Sequence, residues 1–197
     1  NPTGNCFRED AIKRVRQEGV FTVIDEAYYH FSGKTFLADA LQREDTVVLR
    51  TLSKIGLAGL RVGVLIAKEE IAREINKLRL PFNITYPSQV IAKLMLEDFY
   101  PIIEEHVQMV LRERERLMRE LSNIEGVKVF PSDANFFLFK TPYPAGLVHA
   151  ELIKEGVLVR DVSYLPNLEN CLRVSVGFPE ENDQFLQAMQ RVMKKLC

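Results

Sequence analysis

A single lysine, Lys54, sits in the run Thr51-Leu52-Ser53-Lys54-Ile55-Gly56-Leu57-Ala58-Gly59-Leu60-Arg61, just after the apolar residues Val47-Val48-Leu49. Lysine ordinarily keeps its ammonium in water. One placed where a strand runs into a glycine-containing turn, among hydroxyls and with an arginine seven positions later, is laid out as an amine meant to react. The chemistry this suits is a Schiff base to a carbonyl cofactor, with hydroxyls and an arginine gathered around a phosphate. Turn geometry alone also puts Ser, Lys and Gly at strand ends. Taken by itself, then, the segment reads as an ordinary loop.

Other polar residues stand in comparable places. Asp25 follows the apolar run Val20-Phe21-Thr22-Val23-Ile24, where a carboxylate that loses hydration is costly unless it meets a cation or a donor. Capping a following helix is an equal reading of it. Tyr28, three residues on, suits core packing with a satisfied hydroxyl as well as it suits ligand contact. Arg160 follows Val157-Leu158-Val159, and Arg173 lies between Leu172 and Val174 on a strand whose other face should be buried. His30, His106 and His149 have no spacing typical of metal ligands or a triad and receive no role.

The elements that must position these residues follow from periodicity. A helix over 10–18 closed by Gly19 precedes a strand over 20–24, and further strands are expected at 46–50 and 62–67. Helix, apolar strand and polar residues at the strand's end point to an open α/β sheet, whose ligands bind near strand ends. A helix is expected over 68–80, then a break at Pro81 and Pro87, then a long helical region over 88–123 interrupted at Pro101. The charged stretch Leu111 to Met118 reads as a solvated helix face with local ion pairs. Strands at 127–130, 135–140, 157–160 and 171–176 alternate with helices at 145–155 and 180–196, as in a modest α+β unit. The boundary is expected near Pro87, giving regions 1–87 and 88–197.

Composition excludes several classes. With 26 basic and 27 acidic residues among 197, for a net charge of −1, no global field recruits nucleic acid or an anionic membrane. Cys6, Cys171 and Cys197 are too widely spaced for a disulfide framework or zinc site and suit a reducing, cytoplasmic compartment. The sequence has no apolar run long enough to span a bilayer. The opening Asn1-Pro2-Thr3-Gly4 lacks an initiator methionine and is a turn sequence, so a preceding N-terminal part is expected to be missing. The chain by itself is accordingly expected to be inactive.

Asn1-Pro2-Thr3-Gly4, Asp25-Glu26-Ala27-Tyr28, and Ser53-Lys54 with Arg61 together resemble, in order and spacing, the fold-type I pyridoxal-phosphate aminotransferases of the aspartate aminotransferase superfamily. The resemblance implies an α/β fold: part of a large, mostly parallel-sheet domain over 1–87, then a connecting helix and a smaller α+β domain over 88–197. It also implies a homodimer. Lys54 would attach pyridoxal 5'-phosphate covalently and shuttle a proton. Asp25 would keep the pyridine nitrogen protonated, Asn1 and Tyr28 would bond the ring 3′-oxygen, and Thr51, Ser53 and Arg61 would bind the phosphate. Lys54 and Arg61 stand one residue closer than is usual in the family, which reads as a shortened loop.

The segments Ser132 to Phe136, Val157 to Asp161 and Asn170 to Gly177 resemble the histidinol-phosphate aminotransferases. That implies transamination of histidinol phosphate with 2-oxoglutarate in histidine biosynthesis, with Arg160 and Arg173 binding the substrate phosphate. Aromatic or broad-range aminotransferases and threonine-phosphate decarboxylases resemble the same motifs. A non-catalytic regulatory domain of this fold is the remaining alternative.

Overall fold

Two apolar runs become a parallel pair of strands in a computed structural model that describes residues 1–197. β1 (Thr22–Asp25) lies beside β2 (Thr46–Thr51), with Thr22 opposite Thr46 and Asp25 opposite Leu49. β3 (Gly63–Ile66) adds to the other edge of β2 but runs antiparallel. The reason is the connection: Leu52 to Val62 holds two single 3₁₀ turns, Leu52–Lys54 and Ala58–Leu60, and no crossover helix that could return the chain for a parallel strand. The expected α/β class is thus observed, with this sheet mixed rather than uniformly parallel.

Around it stand α1 (Glu9–Gln17), α2 (Tyr29–Ser32), α3 (Leu37–Gln42), α4 (Glu69–Asn76) and α5 (Tyr86–Glu97). The helices α2 and α3 were not expected, being too short to show a helical period. The helix expected over 68–80 ends at Asn76 because the following amides of Leu78 and Arg79 bond to carbonyls three residues back, tightening the last turn. Val47 and Val48 are fully buried in β2, and Ala40, Leu52 and Ile55 are buried as well.

The chain divides into two compact units, one of Cys6–Val107 and one of Asn1–Asn5 with Gln108–Cys197. This division falls inside α6 (Tyr100–Ser122), where the helix runs on without a break. The helical region expected over 88–123 is interrupted at Asp98–Phe99, between α5 and α6, just ahead of Pro101. Pro101 sits in the first turn of α6, where its missing N–H has no helical partner to lose.

The unit containing Gln108–Cys197 holds β4 (Lys128–Val129), β5 (Phe136–Lys140), β6 (Arg160–Asp161) and β7 (Cys171–Ser175), antiparallel in the order β4-β5-β7-β6. α7 (Ala145–Lys154) and α8 (Pro179–Leu196) complete it. Phe137, Phe139, Leu172 and Val174 pack with Leu117 and Leu121 of α6 and with Phe185, Met189 and Val192 of α8 in one apolar cluster. β6 begins later than the strand expected over 157–160 because Val157 N–H bonds back to Leu152 O, closing α7 through Gly156 in its left-handed conformation.

The charged face of α6 carries the expected local ion pairs but is only partly solvated. Arg114 is buried and donates to Ala134 O at 3.0 Å, while buried Asn182 donates to Glu113 Oε2 at 2.7 Å. Arg116 reaches Glu113 on its own helix and Asp183 on α8, both at 2.7 Å. Those bonds hold the Glu113 carboxyl below the usual carboxylate range and raise the Arg116 guanidinium further.

Candidate active site: a lysine turn and an arginine-bearing sheet

Lys54 ends the 3₁₀ turn that begins directly after β2, and Thr51 caps that turn. Its hydroxyl accepts from Ser53 N–H at 3.1 Å and lies 2.9 Å from Ser53 Oγ. Thr51 Oγ1 and Leu52 N–H also reach Val62 O, at 3.3 and 3.1 Å, so the two ends of the loop that carries Arg61 are tied. Gly56 turns the chain at φ +93°, where a side chain would strain the backbone. Arg61 itself is left-handed at φ 56° and exposed, and its guanidinium leans on Ala58 O at 3.5 Å.

Lys54 is half-buried, with its ammonium 5.4 Å from the centroid of the Tyr28 ring, within cation–π range. Tyr28 is half-buried at the start of α2. Asp25 is the last residue of β1, and its Oδ1 accepts from Ala27 N–H at 2.9 Å. It meets a donor as expected, yet it is exposed rather than desolvated. The buried carboxylate is its neighbour Glu26, 7% exposed, whose oxygens take Phe36 N–H at 2.6 Å, Thr35 Oγ1 at 2.9 Å and Arg50 Nε at 3.0 Å. Glu26 and Arg50 were missed from sequence. A carboxylate and a guanidinium at the ends of adjacent apolar strands hint at a pair, but which of Asp25 and Glu26 is covered is set by the loop at Thr35 and Phe36.

The other unit places Asn1, Arg160 and Arg173. Arg160 on β6 is directly opposite Arg173 on β7, so both project from one face of the sheet, while Leu172 and Val174 face the apolar cluster. A cavity of about 520 Å³ opens there, lined by both arginines, His149 and Asp161. His149 donates its Nε2–H to Val159 O at 3.1 Å, and Asp161 Oδ1 accepts from Ser163 N–H at 2.8 Å. Arg173 stacks over the Phe136 ring at 4.7 Å and donates to Asn1 Oδ1 at 2.7 Å. Its Nε is buried with no hydrogen-bond partner in this structure. Two facing guanidiniums beside an open cavity suit an anionic ligand.

The segment bearing Asn1 is held to the same sheet. Gly4 O accepts from Asp133 N–H at 2.8 Å, and a Cβ on Gly4 would stand 2.7 Å from Ser132 Oγ, so the close approach requires glycine. The turn Ser132 to Asn135 thus serves as an anchor for Asn1.

A half-buried lysine on a capped strand-end turn in one unit and a facing pair of arginines in the other are carried on an α/β fold that known proteins share. The chain belongs to the class I and II aminotransferase family, whose model matches residues 1–189. It is 63% identical over 196 residues to a histidinol-phosphate aminotransferase of Aquifex aeolicus, covering 100% of this chain and 55% of that protein. Among solved structures, it is similar to the histidinol-phosphate aminotransferase of Clostridium acetobutylicum, with a TM-score of 0.88 and 26% identity over 99% of this chain and 62% of the other. The Sinorhizobium meliloti histidinol-phosphate aminotransferase, solved with pyridoxal-5'-phosphate, shares the fold at TM-score 0.87 and 24% identity, covering 100% of this chain and 56% of that one. The chain spans about half the length of the curated relatives it matches.

Proposed function

We propose that this chain carries the cofactor-anchoring and substrate-phosphate residues of a histidinol-phosphate aminotransferase. The observation that carries the reading is Lys54 in its Thr51-capped turn, 5.4 Å from the Tyr28 ring. The donor set fits pyridoxal phosphate: an amine, two adjoining hydroxyls with the Arg61 guanidinium on the same tied loop, and a carboxylate at the neighbouring strand end. When bound, that cofactor supplies the electron sink that lets a substrate Cα–H bond break. Lys54 anchors it covalently and, once released, takes the proton from Cα. Asp25 holds a proton on the pyridine nitrogen, and Thr51, Ser53 and Arg61 bind the phosphate.

Asn1 and Tyr28 act at the ring 3′-oxygen. Because Arg173 can only donate, it fixes Oδ1 of Asn1 toward itself and leaves the amide Nδ2 as the donor for that oxygen. Arg160 and Arg173 bind the phosphate of histidinol phosphate and the carboxylates of glutamate and 2-oxoglutarate in turn. We assign residues 1–87 to the large cofactor domain and 88–197 to the connecting helix and small domain of a homodimer, on the family resemblance. The free cysteines Cys6, Cys171 and Cys197 support a cytoplasmic location, and no helix is long and apolar enough to cross a membrane.

Full-length protein mixed with pyridoxal phosphate should develop a visible absorbance band that Lys54→Ala removes. An unchanged band in that variant would sink the lysine assignment. Turnover of histidinol phosphate should exceed that of phenylalanine and threonine phosphate, and a preference for either would redirect the substrate reading. Sedimentation of the full-length protein as a monomer would refute the homodimer.

A further inference from the structure

We propose that Glu26 is a positioning residue that, through Arg50, sets the two strand ends carrying Asp25 and Lys54 in the geometry the cofactor needs. The proposal rests on the cofactor reading of the Lys54 turn. Side chains alternate along a strand, so the contact between Glu26 and Arg50 places both on one face of the β1–β2 pair. Asp25 and Thr51, their chain neighbours, are directed to the opposite face. One polar clamp therefore lies behind two residues assigned to the cofactor.

Every hydrogen-bonding group of Glu26 is engaged. Its N–H donates to Leu49 O at 2.8 Å, extending the β1–β2 ladder by one bond, and its carbonyl accepts from Tyr29 N–H at 2.9 Å. Oε1 takes Phe36 N–H, and Oε2 takes Thr35 Oγ1 and Arg50 Nε. Arg50 closes the ring by donating to Thr35 Oγ1 at 2.8 Å and lies over the Tyr29 ring, 3.6 Å from its centroid. Tyr29 directly follows Tyr28, and Arg50 directly precedes Thr51. The clamp thus joins, within one residue on each side, the segment bearing Asp25 and Tyr28 to the segment bearing Thr51, Ser53 and Lys54.

A buried ion pair is a poor source of net stability, because desolvation offsets much of its attraction. Its value here is directional: one planar guanidinium spans Glu26 Oε2 and Thr35 Oγ1 while Phe36 N–H holds Oε1, which fixes distance and orientation together. Displacement of a reacting group by about 1 Å can lower turnover by about a hundredfold.

The test uses the full-length protein, with and without pyridoxal phosphate. In Glu26→Ala the visible absorbance of the bound cofactor should titrate with a midpoint about one pH unit from wild type, and kcat should fall at least about tenfold with KM for the amine donor little changed. In the cofactor-free protein, amide exchange at Phe36 and Ser53 should accelerate about tenfold or more while β5 stays protected. Glu26→Gln, which keeps an acceptor for Phe36 N–H, should recover most of that protection. A Glu26→Ala protein that loses thermal stability but keeps the wild-type titration midpoint and Ser53 exchange overturns the proposal. If Glu26→Ala does not fold, Arg50→Lys, which keeps the charge and loses the fork, should move both readouts the same way, and wild-type values there overturn it. Failure of wild type to form a Lys54-dependent band would instead refute the cofactor reading.

Discussion

Around Lys54 the strand ends are fixed by Glu26, Arg50, Thr35 and Thr51, joined through hydrogen bonds. Behind Arg173 the sheet is fixed by Phe137, Phe139 and Leu172, each wholly buried in an apolar cluster. The first arrangement holds side chains by direction, since a hydrogen bond weakens steeply off-angle. The second holds them by volume, since close-packed hydrocarbon resists the loss of even one methylene. Changes near Lys54 should therefore cost function more than stability, and changes behind Arg173 should cost stability first.

The sharpest test removes the amine itself. Lys54→Ala should lower turnover by roughly 10⁴-fold or more, since a positioned base alone contributes about 10²–10⁴. Because Lys54 is half-buried and is not part of the Glu26 clamp, its loss should change unfolding free energy by only about 0.5 kcal/mol. Steady-state rates set against urea unfolding would show this split, and a large loss of stability would erase the contrast between the units.

Phe139→Ala probes the other side. Phe139 is fully buried and meets Phe185 edge-on, with ring centroids 5.8 Å apart. Its truncation should destabilise the protein by about 3–5 kcal/mol through the cavity it leaves. At a temperature where the variant stays folded, its KM for the amine donor should remain within about twofold of wild type, because the arginines stand on the opposite face. A variant with normal stability and poor substrate binding would mean that the sheet core is not what holds the arginine face.

Arg173→Ala should cost less, about 1.5–3 kcal/mol of transition-state binding, or roughly ten- to a hundredfold in kcat/KM. Arg160 is exposed and should contribute about 1 kcal/mol or less. Equal losses from the two would show that the cavity desolvates both alike.

What the sequence revealed follows the same division. The strand-end turn at Lys54 was legible because its hydroxyl neighbours and glycines are local, although its candidacy as a reacting amine needed the family resemblance; the strand position of Arg173 was legible because the apolar Leu172 and Val174 mark its buried face. Glu26 was not, because alternation gives Asp25 and Glu26 to opposite faces without saying which is covered. That is decided by the loop at Thr35 and Phe36, whose path no local pattern records. The partnership of Asn1 with Arg173 spans 172 positions and was out of reach for the same reason. Likewise β3 had a strand's composition, but its antiparallel direction came from a connection too short for a crossover.

The smallest expected effect separates the units by pH. Burial, and then the charge of Arg50, lower the pKa of His30 from its ordinary 6.5. The unfolded chain therefore binds this proton more readily, so stability is full above pH 6.5 and is lost progressively as pH falls toward the folded value. Glu113, held below its ordinary 4.5 by Arg116, contributes stability above that pH and loses it only on further acidification. Asp45, lowered to about 2 by Arg43 and Thr46, acts in the same acid window although it belongs to the Lys54 unit. The interval from pH 6.5 down to 4.5 is thus where His30 acts without these carboxylates. Thermal midpoints recorded across it should fall for wild type and flatten in His30→Gln, while Glu113→Gln should flatten only the limb below 4.5. If His30→Gln leaves the upper limb unchanged, the neutral imidazole beside Arg50 is not what makes the Lys54 unit the more pH-sensitive of the two.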